Sequence, residues 1–248
     1  MAHMTLQAPS FAGRDFRVGD ALSKTIGVLS RNVLPFSVVT ALVSAIPLLI
    51  FGEATANPSD LSSILLSLAS AVLAIVLDAL SQAIVLYGAF EDLRGRPVNL
   101  VSSIQFAGSR LLAVIGVALL AALGTGFGFI VLIFPGIMVF TMWYVATPAC
   151  VVEHLGPGKS LSRSAELTEG HRWKVFGMLL VTVIIALVGV ALVKVAEVSL
   201  GLAAGIVVRT IWNALFGAFC AILAVVTYHD LRVAKEGVDT DQIAAVFA

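Results

Sequence analysis

From Val175 to Val193 the chain runs without one charged side chain, and from Leu61 to Ala89 it carries a single one, Asp78. Runs of this length are hard to fold in water. A helix of about 20 apolar residues instead matches the roughly 30 Å hydrocarbon core of a bilayer, where every backbone amide must find its partner within the segment. Six such runs occur: Val33–Gly52, Leu61–Ala89, Leu111–Phe134, Gly136–Val152, Val175–Val198 and Leu202–Tyr228. Composition agrees: 59% of the 248 residues are hydrophobic and 12% are charged, whereas soluble domains run at about 45–50% and about 25%. The expected fold class is an all-α integral membrane protein with six transmembrane helices. A disordered tail, a disulfide-stapled scaffold and an ordinary soluble enzyme are excluded.

The basic residues orient the chain. Arg14, Arg17, Lys24 and Arg31 precede the first run, and Arg94, Arg96 and Arg110 lie between the second and third. Lys159, Arg163, Arg172 and Lys174 lie between the fourth and fifth, and Arg232 and Lys235 follow the sixth. Thirteen of the 15 Lys and Arg residues therefore fall on one side, leaving Lys194 and Arg209 on the other. Basic loops stay in the cytoplasm, so both termini are expected there. Lys plus Arg and Asp plus Glu are both 15, which leaves no net basic field for nucleic acid.

Each pair of runs follows a short polar segment with helical spacing. The first carries Val18, Leu22, Ile26, Leu29 and Val33. The second follows Pro97 with Leu100, Ile104, Ala107 and Leu111, and the third follows Pro157 with Leu161 and Ala165. Such segments suit short helices lying at the cytoplasmic interface. The even runs also end alike, in Phe90-Glu91-Asp92-Leu93-Arg94, Val152-Glu153-His154-Leu155-Gly156 and Tyr228-His229-Asp230-Leu231-Arg232. The pattern predicts three units of interfacial helix plus hairpin. Phe134-Pro135-Gly136 is expected to break the third run from the fourth. Residues 1–15 read as a tag scar and flexible N-terminus, 16–238 as the six-helix membrane domain, and 239–248 as a short cytoplasmic C-terminal helix or tail. In that tail Asp239 and Gln242 are spaced as a capping box.

Candidate sites are few. Asp78, with Gln82 four residues on, is the intramembrane polar site, and such a carboxyl should face the bundle or a wet cavity. It serves either proton or substrate handling, or hydrogen-bonded packing. Lys194, Glu197 and Arg209 form a charged cluster on the outer side, spaced to neutralise one another. Asp92, Arg94, Glu153, Arg163, Asp230 and Arg232 mark the cytoplasmic interface, where Glu153 and Asp230 can pair with Arg163 or Arg232. Gly124, Gly126 and Gly128 either let two helices approach closely or make a flexible break beside a cavity. Cys150 and Cys220 are expected to be buried free thiols. Gly156-Pro157-Gly158-Lys159-Ser160 lacks the first glycine of a phosphate-binding loop, and no His pair has the spacing of a helical metal site. No cofactor, metal or catalytic residue is expected.

The stretch from Pro148 to Pro157, continuing through Leu161-Ser162-Arg163-Ser164 to Leu167-Thr168-Glu169-Gly170, resembles the membrane domain found beside bacterial glycerophosphodiester phosphodiesterases. Tyr228-His229-Asp230-Leu231-Arg232 and Phe16-Arg17-Val18-Gly19 fit the same pattern. The resemblance implies a six-helix module of the bacterial inner membrane and does not imply phosphodiesterase activity, since in that family the hydrolase is a separate soluble domain. The expected function is a non-enzymatic module that binds membrane lipid, or a membrane-protein partner or second copy. The alternative is a transporter or exporter of a small or amphiphilic substrate that uses Asp78.

Overall fold

The computed structural model describes residues 16–51 and 60–236; the N-terminal scar, the Asp239 capping box and the C-terminal tail lie outside the described residues. Nine helices and no strand occur among the described residues: α1 Val18–Arg31, α2 Val33–Phe51, α3 Leu61–Leu93, α4 Leu100–Val131, α5 Ile133–Met142, α6 Ala146–Val152, α7 Pro157–Thr168, α8 Arg172–Leu200 and α9 Leu202–Glu236. Five of the helical stretches are long and apolar enough to cross a membrane, and α5 with α6 counts as one of them. A sixth is added if the bent pair α1 and α2 is taken as one span.

Local chemistry explains where the elements begin and end. Asp60 caps α3 by accepting from the backbone N–H of Ser63, whose hydroxyl donates back to the Asp60 carbonyl. The α3 helix stops at Arg94 and turns through Gly95 at a φ of 73°, a left-handed conformation that glycine adopts without steric cost. Asn99 then caps α4 through the backbone N–H groups of Val101 and Ser102. Pro157 opens α7 in the first turn, where its missing N–H leaves no bond unmade.

Three expectations are corrected. The segment after Pro97 is not a separate interfacial helix. Nothing between Asn99 and Leu111 breaks the backbone, so those residues form the first turns of a continuous α4. By contrast, α1 ends at Asn32 with an 85° bend, and α7 ends before Gly170 at a φ of 82°. The break after α4 falls at Leu132, whose backbone is extended, and not at Phe134-Pro135-Gly136. Pro135 instead sits in the first turn of α5, which tolerates it. The fourth run is itself broken at Trp143–Val145. Pro148 has no N–H to give the Tyr144 carbonyl, and a new short helix starts there.

The packing is uneven. Half of the most apolar window of α9 is buried, against 6% for α3. Thus α9 is the axis of the bundle, and α1, α2, α3 and α8 lie against it. In α3 every buried residue lies between Ala79 and Ala89, and the turns from Leu61 to Val76 are exposed or half-buried. The core gathers towards one end, around Phe16, Phe36, Leu86, Leu167, Met178, Ile222 and Tyr228. That end also holds the ends of α3, α6 and α9 with their acids; it is called the polar end below. Amphipathic α1 lies across it, burying Ala21, Thr25 and Val28. Ile26, one of the expected apolar stripe, is 59% exposed. The stripe therefore divides, because Ala21 and Thr25 are small enough to let α1 settle against α9.

Candidate functional site

A partly open cavity of about 590 Å³ lies between α3, α4, α5, α6, α8 and α9. Its cause is the size of the side chains that face it. Ala118, Ala121, Ala122, Thr125 and Gly126 line it from α4, and Gly217, Ala221 and Ala224 from α9. Small residues at three- and four-residue spacing keep to one side of a helix and leave space where bulkier ones would fill it. Trp143, at the break between α5 and α6, forms part of the wall. Its indole lies against Gly124, where any Cβ would run into the ring. Gly128 sits against Gly136, and a Cβ there would lie 3.0 Å from the Gly136 Cα. The glycine run thus does two jobs: Gly124 and Gly128 allow close approach, and Gly126 opens onto the cavity.

Polar groups in the lining are sparse. Gln82, Thr125, Tyr144, Thr147 and Thr182 stand among alanine, leucine and aromatic side chains, and the Thr182 hydroxyl donates to the carbonyl of Met178 on its own helix. Ligand sites of about 300–1,000 Å³ with apolar walls and a few polar groups are typical of small-molecule binding. The Gln82 side-chain amide donates to the Asp78 carboxylate at 2.7 Å. Asp78 is exposed on the side of α3 and does not line the cavity, so it meets the cavity only through Gln82. Ala79, its neighbour, takes the buried position.

At the polar end the three matched acids each bind a cation from another helix. Asp92 on α3 accepts from Arg31 at 2.6 Å and from Asn32 at 2.9 Å, fixing the bend between α1 and α2. Asp230 on α9 takes Lys24 of α1 at 2.5 Å, not Arg163 or Arg232. Glu153, following α6, accepts from Arg163 Nε at 2.9 and 3.0 Å and from the Tyr228 hydroxyl at 2.7 Å. Arg163 also reaches Glu166 at 3.4 Å and Glu236, which Arg232 holds at 2.9 Å. Burial works against the Arg163 charge, yet hydrogen bonds to Glu236 and Glu153 raise its pKa above the ordinary arginine value. Arg94 is held more loosely: its pair with Glu91 is 3.9 Å long, and its guanidinium lies 4.7 Å over the Phe90 ring.

At the opposite end Glu197 takes both Lys194, at 2.8 Å, and Arg209. Gly205 makes room for this, since a Cβ there would strike Glu197. Cys150 is buried and Cys220 half-buried, and both are free thiols. Among the described residues, no group of three or more His, Cys, Asp or Glu is placed to hold a metal ion. The residues that sequence reasoning missed are Lys24, Arg31, Tyr228 and Glu236. Lys24 and Arg31 are seven apart, two turns on one side of α1, and that spacing was the available signal. Nothing in the sequence marks the Tyr228 hydroxyl as a donor to Glu153.

A family model described as a domain of unknown function (DUF7847) matches residues 92–231, more than half of the chain. The chain belongs to that family. No curated protein and no solved structure matches it.

Proposed function

We propose that this DUF7847 protein is a non-enzymatic, six-span module of the bacterial inner membrane that holds a lipid or lipid-like amphiphile between its helices. The observation that carries the proposal is the cavity of about 590 Å³, apolar for most of its wall and edged by Gln82, Tyr144 and three threonines. An acyl chain finds alkane-like surroundings there, and the few polar groups orient what enters. A role in envelope or lipid homeostasis follows from that ligand class.

The six-span arrangement is supported by α2, whose 19 residues measure about 28 Å at 1.5 Å per residue and so match the hydrocarbon core. It is supported also by the polar end, where the ion pairs gather Lys24, Arg31, Arg163, Arg232 and Lys235 on one face. Basic residues gathered on one face support a cytoplasmic orientation for that face. There α1 and α7 lie at the interface, with Ile26 and the exposed Trp173 turned to lipid. The resemblance to the membrane domain beside glycerophosphodiester phosphodiesterases supports the same setting.

The test is native mass spectrometry of the full chain released from a lipid nanodisc. A Cβ at Gly126 meets nothing within 4 Å, so Gly126→Leu projects into the cavity and narrows it. The expected result is a retained lipid adduct on the wild type and a less abundant one on Gly126→Leu, with equal thermal stability. An adduct of equal abundance on both proteins overturns the proposal.

A second reading, a transporter, has one observation in its favour: Asp78 lies a single hydrogen bond from the cavity wall. Asp78→Asn separates the two. It removes the charge and keeps an acceptor for Gln82, so a lipid-holding module keeps its adduct, and a proton-coupled transporter loses transport.

A further inference from the structure

A second pocket, of about 200 Å³, opens at the polar end between α3, α6 and α9. It is lined by Arg94 and Phe90 of α3, by Val152 at the end of α6, and by Tyr228, His229, Arg232 and Val233 of α9. Two guanidinium groups and an imidazole converge on it. Acids border it, and each already has a partner: Glu153 holds Arg163 and the Tyr228 hydroxyl, Asp230 holds Lys24 and lies 3.4 Å from His229, and Glu236 is shared by Arg163 and Arg232. Arg94 is the least compensated cation, since Glu91 stays 3.9 Å away, beyond hydrogen-bond reach. The carbonyl ends of α3 and α6 oppose an anion by about half a unit each; Arg232 is already paired with Glu236, so Arg94 supplies the cation without a hydrogen-bonded acid.

We propose that this pocket binds a phosphate-type anion. Arginine presents N–H donors in a planar fork that matches phosphate oxygens, and here two such forks share one recess. The size fits the assignment. At ~30 Å³ per water the pocket holds roughly six or seven waters, enough for a phosphate group and smaller than the roughly 300 Å³ at which drug-sized sites begin.

The pocket lies along the same helix ridges as the intramembrane cavity. On α3, Gln82 and Leu86 line the cavity and Phe90 and Arg94 line the pocket, at steps of four residues. On α9, Cys220 and Ala224 line the cavity and Tyr228 and Arg232 line the pocket, at the same step. One ridge of each helix therefore runs from one site to the other. Twelve residues separate Gln82 from Arg94 along α3, about 18 Å of helix. An anionic lipid with its phosphate at Arg94 and a tail in the cavity would occupy both. That source of the phosphate rests on the proposed lipid function; the anion site itself does not.

The test uses the full chain, delipidated in a neutral detergent, with thermal stabilisation titrated by inorganic phosphate and by dihexanoylphosphatidylglycerol against sodium chloride of equal ionic strength. Arg94→Gln is the main variant, because Arg94 belongs to none of the tight ion pairs. Arg96→Gln is its control: it removes the same charge nearby, outside the pocket. The expected result is saturable stabilisation of the wild type, about a tenfold loss of apparent affinity in Arg94→Gln, equivalent to about 1.4 kcal/mol, and less than a twofold change in Arg96→Gln. Arg94-dependent binding of phosphate alone identifies a free anion as ligand, and binding of the lipid only identifies a headgroup; both support the site. The proposal is overturned if neither probe exceeds chloride, if Arg94→Gln binds as the wild type does, or if Arg96→Gln loses as much. Gly126→Leu keeps the two readings apart: lost lipid response with retained phosphate response leaves the anion site standing whatever fills the cavity.

Discussion

Arg163 is the residue whose removal should weaken the fold most. Its Nε donates to both oxygens of Glu153, its other nitrogens reach Glu166 and Glu236, and it joins α7 to the ends of α6 and α9. Arg163 and Glu153 side chains are only 19% and 18% exposed, so water replaces the lost partner poorly. Breaking a buried pair by removing one member costs about 3–5 kcal/mol; the residual exposure and the surviving Tyr228 bond reduce that to about 2–3 kcal/mol for Arg163→Met. For a chain of this size about 1 kcal/mol lowers the melting temperature by roughly 2–4 °C, so a fall of about 4–12 °C is expected. Glu153→Gln keeps a weaker acceptor for Tyr228 and should cost about 1–2 kcal/mol. The double variant should cost less than the sum by about 1–2 kcal/mol, because neither half is left stranded. Thermal unfolding in nanodiscs, followed by the three tryptophans, measures all four proteins. Additive losses, or an Arg163→Met protein as stable as the wild type, would refute the view that this pair fastens α6 and α7 to α9.

Other outcomes follow from single contacts. Gly189 lies under the Trp212 ring with no space for a Cβ, whereas Gly177 has nothing within 4 Å; Gly189→Ala should lose about 1–3 kcal/mol by overpacking, with Gly177→Ala near neutral in the same melt. Tyr228→Phe leaves Glu153 one donor short and should cost about 1–2 kcal/mol, read as a melting shift that shrinks in a Glu153→Gln background. The Lys194 and Arg209 side chains are 71% and 49% exposed, so Glu197→Gln should cost less than about 1 kcal/mol and less still at high salt. With both native cysteines replaced by serine, Ser62→Cys and Arg96→Cys should react with impermeant thiol reagents from opposite faces of a sealed vesicle. Labelling of both from one face would remove α3 as a span.

The apolar runs were legible because the bilayer imposes a length on them, and α8 keeps nearly the range expected, with its ends displaced by a few residues. Breaks were less legible, because proline has two meanings: Pro135 stands inside a first turn, where it is tolerated, and Pro148 marks unwinding just upstream. The acids at Asp92, Glu153 and Asp230 stood out as helix ends, but their partners depend on how helices distant in sequence lie across one another. Asp230 chose Lys24, 206 residues away, over the arginine two positions along its own helix. The cavity left the faintest trace. It arises where small residues of α4 and α9 meet at one height, and alanine in a membrane helix is too common to announce a void.

The lopsided core has a mechanical consequence. The buried core and most of the salt bridges lie at one extremity, while the first turns of α3 hold no buried residue. Such a body is stiff at its base and compliant towards its tips, so thermal bending should grow with distance from Tyr228. The surrounding bilayer then supplies the missing lateral support, and a change in its thickness or tension would be felt first by the splayed ends and transmitted, as a lever transmits force, to the helices that wall the cavity.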